Sequence, residues 1–277
     1  MLARRVRGFF AAIAAGAALV AFAPAGASAD HTPASPIHPG VQTVTAGGQC
    51  TSNFVFRDAA GTYLGQAAHC SGTGAATETD GCDSGSLPIG TPVEIEGADN
   101  DGTMVYNSWL AMQAAGETDE NACAYHDFAL VQVHPDDVGK VDPTVPGFGG
   151  PTGLGPSDAM LGETVYSYGN SSLRLGTAQL RPKQGTVIQS EGDGWSRTVY
   201  TLSPGIPGDS GSGFLSDTGE AIGVLATLQV LPIAGSNGVG DLRHELTYAQ
   251  THGFPGAALV PGTRPFRPDL AGAIIGD

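Results

Sequence analysis

At 277 residues and a formal net charge of −15, the chain would be repelled by nucleic-acid phosphates, which excludes that class of partner. Its 42 glycines and the scarcity of long helical patterns exclude an α/β architecture. Acidity of this kind fits solubility outside the cell.

The first segment, 1–29, has the form of a secretory signal. Arg4, Arg5 and Arg7 precede an apolar, alanine-rich stretch, and Ala27-Ser28-Ala29 supplies the small residues read at cleavage. The apolar stretch is short for a bilayer span of ~20 residues, so a membrane anchor is the weaker reading. The Arg4-Arg5 pair alone does not settle the export route. The signal holds three of the 12 basic residues and none of the 27 acidic ones, so the remainder is more acidic than the whole.

Residues 30–44 contain Pro33, Pro36 and Pro39 without apolar periodicity and read as a mobile leader. A first β unit is expected over 45–141, with strands near 53–56, 63–68, 92–96, 104–110 and 128–133. Residues 142–156, rich in proline and glycine, read as a linker. A second β unit follows over 157–252. Its strands are expected near 164–168, 176–180, 186–189, 196–202, 213–215 and 221–230, with a closing helix over 242–251 stopped by Gly253. Short strands at even spacing between glycine turns argue an all-β sandwich or barrel. The tail, 253–277, reads as loosely held. Cys50, Cys70, Cys82 and Cys123 form an even set in an exported chain, so two disulfides are expected, in any of three pairings. No two are spaced as a short zinc-ligand pair.

Three segments carry chemistry: Ala67-Ala68-His69-Cys70, Asp127-Phe128-Ala129-Leu130-Val131, and Gly208-Asp209-Ser210-Gly211-Ser212-Gly213. A serine is a poor nucleophile at neutral pH and needs a base, which in turn needs a partner to fix its tautomer. Ser210, His69 and Asp127 fit these roles. Gly208 and Gly211 permit a tight turn that would leave the Gly208 and Ser210 N–H groups free to hold an oxyanion. Alone, a Gly-Asp-Ser-Gly string is often a plain turn, His69 a structural residue and Asp127 a strand cap. The conjunction, in the order His, Asp, Ser and each beside an apolar strand, favours catalysis.

On these motifs the chain resembles chymotrypsin-fold (trypsin-like) serine proteases, in particular the secreted bacterial branch that includes the streptogrisins. The resemblance covers roughly 47–251. It implies an all-β fold of two six-stranded antiparallel β-barrels packed face to face, with a short C-terminal helix and the triad in the cleft between them. It further implies a Cys50–Cys70 disulfide clamping the loop of His69, which leaves Cys82 and Cys123 to pair. Catalysis would need no cofactor or metal, and the partner would be a peptide or protein substrate met by a monomer, away from membranes once the signal is removed.

The chain also departs from that pattern. Gln66 stands where the family usually has threonine, and Ser212-Gly213 replaces Gly-Pro. Ala226-Thr227-Leu228 falls where Ser-Trp-Gly is frequent, in the segment that would pair with substrate backbone, and Leu228 is expected to narrow the primary pocket. Pro204 occupies the position that is acidic in proteases cutting after Arg or Lys, so small or apolar side chains are expected at the cleavage site. Thr45-Ala46-Gly47-Gly48 lacks the usual activation sequence, leaving Arg174 as the candidate partner of Asp209. The alternative reading is a catalytically silent, protease-like binding protein with a closed specificity pocket. An α/β-hydrolase would need glycine at position 212 and the opposite triad order. His244-Glu245 fails as a zinc motif because Tyr248 stands where histidine is required. Asp99-Asn100-Asp101-Gly102 offers oxygen ligands for calcium, but a β-turn is the preferred reading.

Overall fold

The computed structural model describes residues 33–75, 77–157, 161–229 and 231–275. The expected signal lies outside the described residues. In chain order the first half contains β1 (Gln42–Thr45), β2 (Gly48–Thr51), β3 (Val55–Arg57), β4 (Thr62–Gln66), β5 (Pro92–Ile95), β6 (Gly102–Asn107), α1 (Ser108–Ala115), α2 (Glu120–Tyr125) and β7 (Ala129–Gln132). The second half contains β8 (Thr164–Tyr168), β9 (Pro182–Glu191), β10 (Ser196–Thr201), β11 (Gly213–Leu215), β12 (Ala221–Gln229), β13 (Ser236–Asp241), α3 (Leu242–Thr251), β14 (Ala258–Leu259) and α4 (Leu270–Ile275).

The architecture is mostly β, in two antiparallel units. Strands β8 to β13 close a six-stranded barrel in the order β10-β13-β12-β11-β8-β9. The first half is an eight-stranded sheet in the order β14-β3-β4-β7-β6-β5-β1-β2, rather than six strands. Seven of these strands come from the first half, and the eighth, at the edge, comes from the tail, where Ala258 and Leu259 pair with Arg57 and Phe56. One apolar cluster joins the two units: Phe54, Phe56, Phe128 and Leu130 from the first meet Tyr166, Leu215, Val224 and Leu246 from the second. Each fully buried Phe or Leu contributes about 1.5–3 kcal/mol, so this shared core favours one fixed juxtaposition.

Several expectations are corrected. The leader is folded from Ile37 onward: Ile37 and Val41 are buried, and β1 begins at Gln42. Prolines there exclude periodicity but not packing. The 142–156 linker buries Val145 and Phe148 in the shared core. The tail is held too, with Phe266 edge-on to Tyr166 at 5.6 Å and Ala273 buried against Gly147. Residues 176–180 form a loop ending in a 3-10 turn over Ala178–Leu180, not a strand. The strand at 104–110 stops at Asn107, whose side chain accepts from the Trp109 and Leu110 N–H groups and starts α1, and Gly116 ends it at φ 65°.

Both disulfides form as the resemblance implied, Cys50–Cys70 and Cys82–Cys123. The second closes a sequence separation of 41 residues around α1. Replacing Cys82 and Cys123 by serine is expected to lower stability by about 2–4 kcal/mol, measured by urea unfolding.

Candidate active site

His69 sits on a 3-10 turn, Ala68–Ser71, tied to β2 by the Cys50–Cys70 disulfide. Asp127, just after α2, grips it twice. Its Oδ2 lies 2.6 Å from His69 Nδ1, and its Oδ1 accepts the His69 backbone N–H at 2.8 Å. With a carboxylate as its partner, Nδ1 is the donor, which leaves Nε2 with the lone pair a base requires. Burial alone would lower the imidazole pKa, but the charge and hydrogen bond of Asp127 outweigh it and raise His69 above the ordinary 6.5.

The serine loop comes from the opposite unit and docks on the first. Thr51 N–H donates to Ser210 O at 2.8 Å, and Thr51 Oγ1 donates to Gly208 O at 2.7 Å. Gly208 and Gly211 have φ of +97° and +87°. A side chain at Gly211 would collide with Thr51 O and Ala67 N, at 2.6 and 2.8 Å from its Cβ. Glycine there lets the nucleophile loop press against the backbone that leads to His69.

The peptide orientations matter for the two amides. Pro207 O accepts from Ser171 Oγ at 2.6 Å, and Asp209 O accepts from Ser212 N–H at 3.1 Å. In a trans peptide the N–H points opposite to its carbonyl. The Gly208 and Ser210 N–H groups are therefore turned away from the loop's own bonds. Neither donates a hydrogen bond among the described residues.

Asp209, between them, is buried and carries two cations. Its Oδ2 accepts from Arg174 Nη2 at 2.5 Å, Lys183 Nζ at 2.9 Å and Ile206 N–H at 3.2 Å, and its Oδ1 from Ser171 N–H at 3.0 Å. Arg174 is thus the partner expected from sequence. Lys183 was missed, because a lone lysine in a strand carries no signal of burial.

A cleft of about 920 Å³ is lined by both His69 and Ser210. No hydrogen bond joins Ser210 Oγ to His69 among the described residues, a looseness common in unliganded sites. Ala226, Thr227 and Leu228 line the same cleft, with Ala226 at a register shift between β12 and β13. Leu228 is 54 % exposed and stands at the wall of that cleft. Pro204 does not line it: its carbonyl accepts from Arg174 Nη2 and its ring faces Gly235. Gly205 and Ile206 take that place.

Other candidates fall away. Cys50, His69 and Cys70 lie close enough to hold a metal, but both sulfurs are spent in the disulfide. Asp99 and Asp137 share the Lys140 ammonium, at 2.6 and 2.7 Å, across a bend at 99–100. His244 is half-buried: Asp241 Oδ1 lies 3.0 Å from its Nδ1, and it stacks on Trp195.

Among solved structures the chain is similar to Thermobifida fusca protease A, with 18% identity, 82% of this chain and 99% of that one covered, and a TM-score of 0.54. It is similar to a glutamic-acid-specific serine protease that uses a histidine triad in substrate binding, at 17% identity, 81% and 100% coverage and a TM-score of 0.51. It is also similar to Cellulomonas bogoriensis chymotrypsin, at 16% identity, 81% and 98% coverage and a TM-score of 0.50. These likenesses show that the chain has the chymotrypsin fold of bacterial serine proteases. No family model and no curated protein matches the sequence.

Proposed function

We propose that this protein is a secreted serine endopeptidase. The observation that carries the reading is the convergence on one cleft of a doubly held histidine and a serine flanked by two outward-turned amides. Ser210 Oγ attacks the scissile carbonyl as His69 Nε2 takes its proton. The Gly208 and Ser210 N–H groups receive the oxyanion, and His69 then protonates the leaving amine. Asp127 fixes the imidazole and stabilises its charged form. Water, activated by His69, hydrolyses the acyl-enzyme and regenerates Ser210.

The fold shared with serine proteases supports this reading, and two disulfides support an extracellular setting. Among the described residues no helix is long and apolar enough to cross a membrane. The wall beside Ser210 is built from Gly205, Ile206, Leu225, Ala226, Thr227 and Leu228, all uncharged, which favours small or apolar side chains at the cleavage site. His69 is the only histidine lining the cleft among the described residues, so the glutamate preference of one structural neighbour does not carry over.

The test is hydrolysis of a mixed peptide library by the purified secreted form, with cleavage sites read by mass spectrometry. Cleavage following apolar residues is expected, and an inert, well-folded protein would contradict the proposal. The pH profile adds a second check. His69 must be neutral to act, and its pKa is raised, so activity is expected to fall on acidification with a midpoint above 6.5. Activity that does not fall on acidification would count against His69 as the base.

A further inference from the structure

Behind the histidine–aspartate pair lies a second carboxyl that catalysis as proposed does not use. Glu245, on α3, is 0 % exposed. Its Oε1 accepts the Asp127 backbone N–H at 3.2 Å, and its Oε2 has no hydrogen-bond partner among the described residues. Glycine at 240 makes room for it, since a Cβ there would stand 2.4 Å from Glu245 Oε1.

The helix that carries Glu245 is anchored in the second unit. Asp241 caps α3 by accepting the His244 N–H at 2.8 Å, and it pairs with the buried Arg197 at 2.5 Å. Arg197 also donates to Ile222 O and Ser157 O, at 3.0 and 2.7 Å. The chain of contacts therefore runs from the β-barrel through Arg197, Asp241 and α3 to Asp127 and His69. We propose that Glu245 is a positioning residue, fixing the Asp127 peptide from the opposite unit and so aiming the carboxylate that holds His69. This inference rests on the proposed protease reading.

The surroundings decide the charge state Glu245 works in. Burial, then the nearby Asp127 and Asp241 carboxylates, raise its pKa well above the ordinary carboxylate value. Arg197 is the cation that faces it, and its guanidinium is committed to Asp241. Tyr106 from β6 and His126 beside Asp127 complete the titratable neighbours, and burial keeps His126 neutral, its pKa pushed down to about 3. That direction favours the protonated carboxyl, which orders the Asp127 peptide without adding a second negative charge beside the dyad.

The sign of the stability effect follows. The unfolded chain loses this proton near the ordinary value of 4.5, whereas the folded chain keeps it to higher pH. The contribution of Glu245 to stability therefore declines as pH rises above 4.5, and Glu245→Gln, neutral at every pH, lacks that decline.

The experiment compares wild type, Glu245→Gln and Glu245→Leu, by kcat and KM on one peptide substrate and by the unfolding midpoint from pH 4 to pH 9. Gln keeps the acceptor for Asp127 N–H, so wild-type kcat is expected, with a midpoint that rises relative to wild type as pH increases. Leu removes the acceptor, and kcat is expected to fall on the order of 10²-fold with KM unchanged. Wild-type kcat in the Leu variant, or loss of kcat in the Gln variant, would overturn the assignment. Should the Leu variant not fold, the Gln variant decides: wild-type kcat supports the role and a loss of kcat refutes it, while the midpoint reads the charge state of the carboxyl. If wild type itself hydrolyses nothing, the protease reading fails, and the stability comparison still tests the neutral carboxyl.

Discussion

Ser210→Ala is expected to lower kcat on the order of 10⁶-fold while leaving the fold intact. The reasoning is local. Ser210 is held by its backbone, through its carbonyl on Thr51 N–H and the positive φ of Gly208 and Gly211 on either side. Removing Oγ touches none of these, so the unfolding free energy should change by less than about 0.5 kcal/mol. The chemistry loses its nucleophile outright. What remains is the weak acceleration that oriented amides and a general base give to direct attack by water. Activity assays and urea unfolding on the same preparation check both halves. Near-wild-type hydrolysis by this variant would remove Ser210 from the mechanism.

Asp209→Asn should be the most damaging change to stability, by about 3–5 kcal/mol. Arg174 and Lys183 both point at one buried carboxylate, and their side chains are only 7% and 2% exposed. An amide in its place leaves two cations out of water without a counter-charge. Burial alone would raise the Asp209 pKa, but Lys183 and Arg174 more than offset this and hold it below the ordinary 3.8. The stabilisation from its charge is therefore present above pH 3.8 and lost as pH falls through the lower folded-state value, so the penalty of the Asn variant should shrink in that window. Function should suffer too. Asp209 anchors Ile206 and Ser171 through their N–H groups, and Ser171 Oγ orients the peptide that aims the Gly208 amide. Unfolding curves from pH 2 to pH 7 check the prediction, and equal stability of the two proteins at neutral pH would contradict it.

Much of this architecture was legible in the residues. Short strands between glycine turns were expected at 164–168 and 213–215, the observed bounds of β8 and β11, and α3 fell over 242–251, ahead of the Gly253 stop. The motif around Ser210 was legible because glycines at positive φ and a buried aspartate leave a local signature. What escaped depended on distant partners. Strand β13, Ser-Asn-Gly-Val-Gly-Asp, has the composition of a turn and becomes a strand because β10 and β12 pair with it on both sides. Strand β14 exists only because β3 offers an edge. Helix α1 was overrun by the apolar pattern of β6, although its Asn107 cap and Gly116 stop are both in the sequence. Glu245 is the plainest case: on an amphipathic helix a glutamate reads as solvated, and only the fold places it against Asp127.

The central claim is that Ser210 is an activated nucleophile, and the most direct measurement is covalent labelling by a fluorophosphonate probe, located by peptide mass spectrometry. Phosphonylation of the purified protein at Ser210, lost on acidification as His69 protonates and absent in Ser210→Ala, is the result expected here. A folded protein that takes up no label, or takes it equally with and without Ser210, would contradict the assignment.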